Sequence, residues 1–241
     1  MHNCKTCGGN LVAVNQFGYV CSYCGNGYST GGKTLPAAQS APLLDGADLF
    51  EQCVPGVLEI FWQQGNGGGA GSGYLIDKSG LAITNAHVVQ TEQGNLVNAL
   101  AVRICGKVVK GTLIRCGDYN RANNRVGTDL ALIRLEQVPA GAKALRFEDF
   151  NNVRNGEQVY VIGNPKGEGI SITSGIVSDR LRHFAGRDLM MTDCTINPGN
   201  SGGPIFNKKG LVIGTIVCSR VEADNMNFAI PSSTVLSFIN K

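Results

Sequence analysis

"INPGNSGGP", residues 196–204, places three glycines, two prolines and one serine in nine positions. Glycine and proline beside an apolar run usually mark a turn. Glycines also clear side chains from the backbone, so that a hydroxyl and bare amide groups can face a substrate. The flanks bear on the choice. Just before lies "DLMMTD" (188–193), and just after come "GPIFN" (203–207) and "GLVIGTIVC" (210–218), short runs with the look of strands. Further out the same texture recurs in "VLEIFW" (57–62), "SGYLID" (72–77), "GLAITNAHVV" (80–89), "LVNALAVRI" (96–104), "KVVKGTLIRC" (107–116), "DLALIRL" (129–135), "EQVYVIG" (157–163), "GISITSGIVS" (169–178) and "MNFAI" (226–230). These runs are rich in Val and Ile and bounded by Gly, Asn, Asp and Pro. About twelve strands without helices between them exclude a parallel α/β sheet. An all-β fold remains, either a pair of packed antiparallel barrels or a sandwich.

Two short helices are expected at the edges of this pattern. "ADLFEQCV" (47–54) offers one or two turns that Pro55 stops, and "PSSTVLSFINK" (231–241) closes the chain with Ser232 as a candidate cap. "QGNGGGAGSG" (64–73) reads as a mobile hairpin loop.

The chain has 241 residues, enough for one substantial domain and a small appendage. It is 43% hydrophobic and 16% charged, which excludes a disordered or coiled-coil chain. Its 33 glycines are about twice the usual share and show no Gly-X-Y period, so they point to tight turns between short strands. The net charge of +3, with both signs interspersed, forms no basic stripe, and nucleic acid is not an expected partner. No apolar run approaches the roughly 20 residues of a membrane-spanning helix, and "MHNCKTCGGN" (1–10) lacks the apolar stretch of a signal peptide. A cytoplasmic location is expected. Nine cysteines, five of them scattered singly at Cys53, Cys105, Cys116, Cys194 and Cys218, fit reduced thiols better than a disulfide framework.

The other four cysteines form two Cys-x-x-Cys pairs, Cys4 with Cys7 and Cys21 with Cys24. Thirteen residues that alternate like a hairpin separate the pairs. Four thiolates can close a tetrahedral zinc shell, and Gly8 and Gly25, each after the second Cys of a pair, let the turn curl so that amides point at the sulfurs. A segment of about 30 residues cannot bury enough surface to fold alone. A structural zinc would supply the missing stabilisation, on the order of 10–16 kcal/mol. Residues 1–33 therefore read as a domain that resembles a zinc ribbon with one structural zinc. Residues 34–44 follow as a Pro/Ala/Ser linker, and 45–241 as the main domain.

Acyl transfer to a serine requires a hydroxyl, an imidazole to take its proton, a carboxylate to hold the imidazole's tautomer, and amide donors for the oxyanion. Of three histidines, His2 lies beside the chain end and His183 sits among charges in what reads as a solvated loop, whereas His87 ends a strand in "LAITNAHVV". "GTDLALIRL" puts Asp129 at the mouth of an apolar strand, where a buried acid needs a partner. The opening stretch supplies Ser201 as nucleophile, with the amides of Gly199 and Ser201 as oxyanion donors.

"TNAHVV", "GTDLALI" and "NPGNSGGP", in the order His, Asp, Ser with spacings of 42 and 72 residues, resemble the trypsin-like serine proteases, and more closely the HtrA/Deg branch. The elements "GNP" (163–165), "TSGIVS" (173–178) and "NFAIP" (227–231) add to the likeness, which covers about residues 45–241. It implies a chymotrypsin-like double β-barrel and a serine endopeptidase acting on protein or peptide substrates. It also implies a primary pocket with Thr195, Ile196 and Asn197 at its base and Val217, Cys218 and Ser219 along its wall, where no fixed charge favours small or medium apolar residues before the scissile bond. A homo-oligomer, often a trimer among such relatives, is a candidate assembly.

Two departures stand out. Asn200, not an acid, precedes Ser201, and no "IVGG"-like start is present, so the trypsin zymogen mechanism cannot operate. "NFAI" is followed by eleven residues where most such relatives continue into a PDZ domain, and targeting or regulation is expected of the ribbon instead. Two rival readings stay open: an inactive, chaperone-like peptide-binding barrel, and a ribbon-led nucleic-acid binder that carries the barrel as cargo, for which two lysines and no arginine in residues 1–33 are a thin electrostatic footprint.

Overall fold

The computed structural model describes the backbone of 11–15, 18–21 and 27–29, and residues 43–65, 67–119, 127–184, 186–217 and 226–241. Three short strands come first: β1 (Leu11–Asn15), β2 (Gly18–Cys21) and β3 (Gly27–Ser29) form an antiparallel sheet in that order. The hairpin expected between the Cys pairs is β1–β2, with Leu11 opposite Cys21. Cys4, Cys7 and Cys24 lie outside the described residues, as do residues 34–42 of the linker.

Helix α1 (Gly46–Cys53) follows, capped by Asp45, whose Oδ1 accepts the Asp48 N–H at 2.9 Å. Six strands then close a barrel: β4 (Val57–Gln64), β5 (Gly67–Leu75), β6 (Leu81–Thr84), β7 (Ala99–Ile104), β8 (Lys107–Cys116) and β9 (Ala131–Leu135), in the order β4-β5-β6-β9-β8-β7. A second barrel repeats the plan with β10 (Gln158–Gly163), β11 (Ser171–Phe184), β12 (Arg187–Thr192), β13 (Pro204–Asn207), β14 (Val212–Val217) and β15 (Asn227–Pro231), ordered β10-β11-β12-β15-β14-β13. Helix α2 (Ser232–Ile239) ends the chain. Each of the twelve expected strand runs supplies one barrel strand, and closure removes the open edges that antiparallel sheets otherwise present.

Period-two alternation fixes the lumen of the first barrel. In β7, Leu100, Val102 and Ile104 are buried while Ala99, Ala101 and Arg103 are exposed. Leu58, Ile60, Leu75, Ile133 and Leu135 join that core, and each fully buried aliphatic side chain contributes about 1.5–3 kcal/mol relative to exposure. Val159, Val161, Ile205, Ile213 and Ile216 fill the second lumen. A third cluster draws Tyr74, Ile83 and Leu130 from the first barrel and Phe206, Phe228 and Ile230 from the second, and forms the seam between them. Strand β14 is buried at every position because one face serves its lumen and the other the seam. Inside the seam the Tyr74 hydroxyl bonds Thr215 Oγ1 at 2.8 Å.

The terminal segments cross between barrels. Leu44 N–H donates to Lys208 O, the Cys53 thiol donates to Gly210 O, and Gly46 lies against the Tyr160 ring, so the segment preceding the first barrel packs on the second. Conversely, Arg115 of β8 reaches across to the carbonyl of Phe238 in α2 and stands over its ring, 4.6 Å from the centroid.

Four expectations are corrected. The glycine-rich stretch 64–73 is not a mobile loop: from Gly67 it is strand β5, paired residue for residue with β4. Its glycines permit close approach, since a Cβ on Gly71 would lie 2.7 Å from both Val88 methyls and one on Gly73 would lie 2.7 Å from Ile83 O. His183 lies on β11, not in a loop; it is exposed and pairs with Asp188 at 3.0 Å across the β11–β12 hairpin. His87 sits just past a strand, on a single 3₁₀ turn (Ala86–Val89) after β6. Ser232 does not cap α2; its buried hydroxyl donates to Glu148 O at 3.2 Å.

Candidate active site

Strand β6 delivers His87 and the entry to β9 delivers Asp129, because the two strands are hydrogen-bonded neighbours with Thr84 opposite Ala131. Asp129 is 1% exposed, and an acid buried that deeply requires compensation. One residue supplies much of it: the backbone N–H of His87 donates to Asp129 Oδ1 at 3.0 Å, and His87 Nδ1 meets Oδ2 at 2.8 Å. Burial alone would raise the Asp129 carboxyl. The charge, ring and amide of His87, with the Arg187 guanidinium farther off, outweigh burial and hold the group below the usual carboxylate range. With Nδ1–H engaged by an ionised carboxylate, Nε2 becomes the basic nitrogen of the ring. The Tyr119 ring stands edge-on to the imidazole at 6.1 Å between centroids, and Asn85 Nδ2 donates to Asp129 O at 2.8 Å, tying the two segments together behind the pair.

Ser201 reaches the same seam from the second barrel. Its carbonyl accepts the Ser72 N–H of β5 at 2.8 Å. The next residue, Gly202, has φ +85°, and a Cβ there would lie 2.3 Å from both Ser72 O and Thr84 Oγ1 and 2.9 Å from Asn85 N. The serine loop therefore rests directly on the chain two to three residues before His87. Gly199, at φ +101°, is pressed as tightly: a Cβ would meet Asn164 O at 2.2 Å. Both glycines are required by conformation and by space. The Pro198 carbonyl accepts the Lys166 N–H at 2.7 Å, which turns the Gly199 N–H to the opposite side of that trans peptide. Asn200, 3% exposed, takes the place of the acid absent from this position; its N–H bonds Asn197 O and its carbonyl accepts Gly203 N–H.

Thr195 is exposed, Ile196 and Asn197 are half-buried, and Val217 is buried at the end of β14. Two side chains hold this floor. Asn227 Nδ2 donates to Cys194 O at 2.8 Å, and Thr173 Oγ1 donates to Thr195 O at 3.1 Å. The nearby Asp193 carboxylate is engaged by the Ile176 N–H at 2.6 Å. Cys218 and Ser219 lie outside the described residues. Ser72, Asn164, Asn227 and Arg187 went unassigned on sequence, although "GNP" and "NFAIP" contain two of them.

Among the described residues no group of three or more His, Cys, Asp or Glu could hold a metal ion. Only Cys21 of the four Cys-x-x-Cys residues falls in a described strand.

Two closed six-stranded barrels with a His–Asp pair and a glycine-flanked serine at their seam define the chymotrypsin-like class of fold. A trypsin-like peptidase domain matches residues 71–214, and the chain belongs to the trypsin-like peptidase family. It is 31% identical over 206 residues to HhoA of Synechocystis sp., a protein named as a serine protease, with 83% of this chain and 49% of the relative covered. It is 34% identical over 187 residues to a Rickettsia conorii protein named as a DegP-like periplasmic serine endoprotease, with 71% and 33% covered. Among solved structures, the HtrA-type protease AlgW with a tripeptide superposes with a TM-score of 0.68 at 26% identity over 80% of this chain and 62% of that one. The chain spans half or less of the length of these curated relatives.

Proposed function

We propose that the protein is a serine endopeptidase. Ser201 Oγ attacks the scissile carbonyl, His87 Nε2 takes the hydroxyl proton and returns it to the leaving amine, and Asp129 holds the imidazole's tautomer and stabilises its protonated form. The amides of Gly199 and Ser201 receive the negative charge of the tetrahedral intermediate. The observation that carries this reading is the doubly bonded His87–Asp129 pair beside the tightly seated serine loop, in a chain of this family.

The uncharged floor at Thr195–Asn197 and the apolar wall at Val217 support cleavage after small or medium apolar residues. Cys4, Cys7, Cys21 and Cys24 would hold one structural zinc that contributes no step of catalysis, and the β1–β3 sheet supplies a backbone suited to such a ribbon. Cys53, Cys105, Cys116 and Cys194 are free thiols, which supports a reducing compartment such as the cytoplasm. The expected partner is a protein or peptide substrate, with self-association as a further expectation.

A fluorophosphonate probe should label the protein at Ser201, and Ser201→Ala should lower peptide hydrolysis by roughly 10⁴-fold or more without altering the fold. Absence of labelling, or equal hydrolysis by both proteins, would overturn the assignment in favour of a peptide-binding barrel without activity.

A further inference from the structure

Ser72 is fully buried on β5 of the first barrel, yet both hydrogen bonds of its side chain go to the second. Its Oγ donates to Gly199 O at 2.7 Å and accepts the Asn164 N–H at 2.9 Å. Its backbone is equally committed: the N–H donates to Ser201 O at 2.8 Å, and the carbonyl accepts Thr84 Oγ1 at 2.7 Å. One residue thus grips the carbonyls on both sides of Asn200 and ties them to the turn that follows β10.

The orientation of an amide donor is set by the peptide plane that carries it. In the serine loop, Pro198 O is held by Lys166 N–H, Gly199 O by Ser72 Oγ, Asn200 O by Gly203 N–H and Ser201 O by Ser72 N–H. The Gly199–Asn200 plane lies between the planes that carry the Gly199 and Ser201 amides, and a side chain pins its carbonyl. Rotation of that plane would leave a buried hydroxyl without its acceptor, which the fold does not tolerate cheaply. Space excludes a casual substitute: a Cβ on Gly163 would lie 3.0 Å from Ser72 Oγ, and one on Gly203 would lie 3.1 Å from Ser72 Cβ.

We propose that Ser72 is a positioning residue for catalysis, a cross-barrel pin that holds the Gly199–Ser201 loop with its amides set to receive the oxyanion. The proposal rests on the assignment of Gly199 and Ser201 as oxyanion donors. Ser72 touches no substrate; it acts through the loop.

The test is Ser72→Ala, with rates normalised to active sites titrated by fluorophosphonate. The kcat for a peptide substrate should fall about 10- to 100-fold, less than the loss of a donor itself, while KM moves less than about threefold. The Ki of a peptidyl trifluoromethyl ketone, whose hemiketal oxygen occupies the oxyanion position, should rise by the same factor as kcat/KM falls. The Ki of the matching non-covalent peptide amide should stay unchanged. A merely structural role would reduce the titrated fraction and leave these constants alone. An unchanged kcat, or a loss confined to KM, would overturn the proposal. If Ser72→Ala does not fold, Ser72→Cys, which is somewhat larger and keeps only a weaker donor, should show the same parallel shift, and wild-type constants there would overturn it. A wild-type protein that neither labels nor binds the ketone would instead defeat the active-site assignment, and this proposal with it.

Discussion

Asp129 receives two hydrogen bonds from a single residue, His87: one from its backbone N–H at 3.0 Å and one at its ring Nδ1 at 2.8 Å. The pair is locked because the amide bond fixes where the ring can hang, so orientation costs little entropy at the moment of reaction. Replacing the acid by its amide would keep the shape and remove the charge that selects the tautomer. Asp129→Asn should lower kcat by about 10⁴-fold, as in the Ser–His–Asp template, with little change in KM. Steady-state kinetics on a chromogenic peptide would show it, and a loss below tenfold would contradict the assigned role.

The same carboxylate makes stability depend on pH. A folded-state pKa held below the unfolded value of about 3.9 gives stability that is present above that value and lost as pH falls through the folded one. Urea unfolding at pH 7 and at pH 3 should show the advantage of wild type over Asp129→Asn shrinking on acidification. A gap that is constant or widens would refute the depressed pKa.

Gly71 lies within β5, opposite Ile60 of β4. An alanine there would push its Cβ to within 2.7 Å of both Val88 methyls and 3.3 Å of Ser201 O, on either side of the site. Gly71→Ala should destabilise the fold by about 1–3 kcal/mol and reduce kcat/KM at least tenfold. Gly67→Ala, whose Cβ meets only Gln64 O at 3.6 Å, should change neither. Thermal melts and peptide assays on the two variants decide it; equal behaviour would mean that the close approach is unimportant.

The described cysteines should react unequally. Burial pushes the thiols of Cys53 and Cys194 up to about 11, so both remain protonated at pH 8, and both are nearly inaccessible. Cys105 is exposed at the β7–β8 turn. Limited iodoacetamide treatment followed by peptide mapping should find Cys105 alkylated and Cys53 and Cys194 intact. Early modification of either buried thiol would contradict the packing.

Metal analysis should return about one zinc per chain. A Cys4→Ser, Cys7→Ser double variant should lose the metal while its kcat on a short peptide stays within about threefold. Retained zinc would place the metal elsewhere, and lost turnover would give the ribbon a part in catalysis.

Most barrel strands were legible because they carry their own short β-branched run, as in "VYVIG" or "TIV", whereas the glycine-rich part of β5 carries none and read as a loop. His87, Asp129 and Ser201 could be put forward as candidates because "TNAHVV", "GTDLALI" and "NPGNSGGP" follow one another in that order, and the structure brings His87 and Asp129 into contact. Ser72 was not, since one hydroxyl among glycines in 64–73 carries no pattern, and its partners Gly199 and Asn164 come from the other barrel. Asn227 was hidden because its acceptor, Cys194 O, lies 33 residues away within the same barrel. Contacts made across the seam follow no sequence period, so a reading based on periods could not find them.

The crossing of the chain's first helix has a mechanical result. Because Leu44, Gly46 and Cys53 are fastened to β10 and the β13–β14 turn, a tug on whatever precedes residue 43 loads the half of the molecule that bears Ser201, although the other half is next along the polymer. A tether gripping that leading end would strain the serine-bearing half first and reach the histidine only through the shared wall.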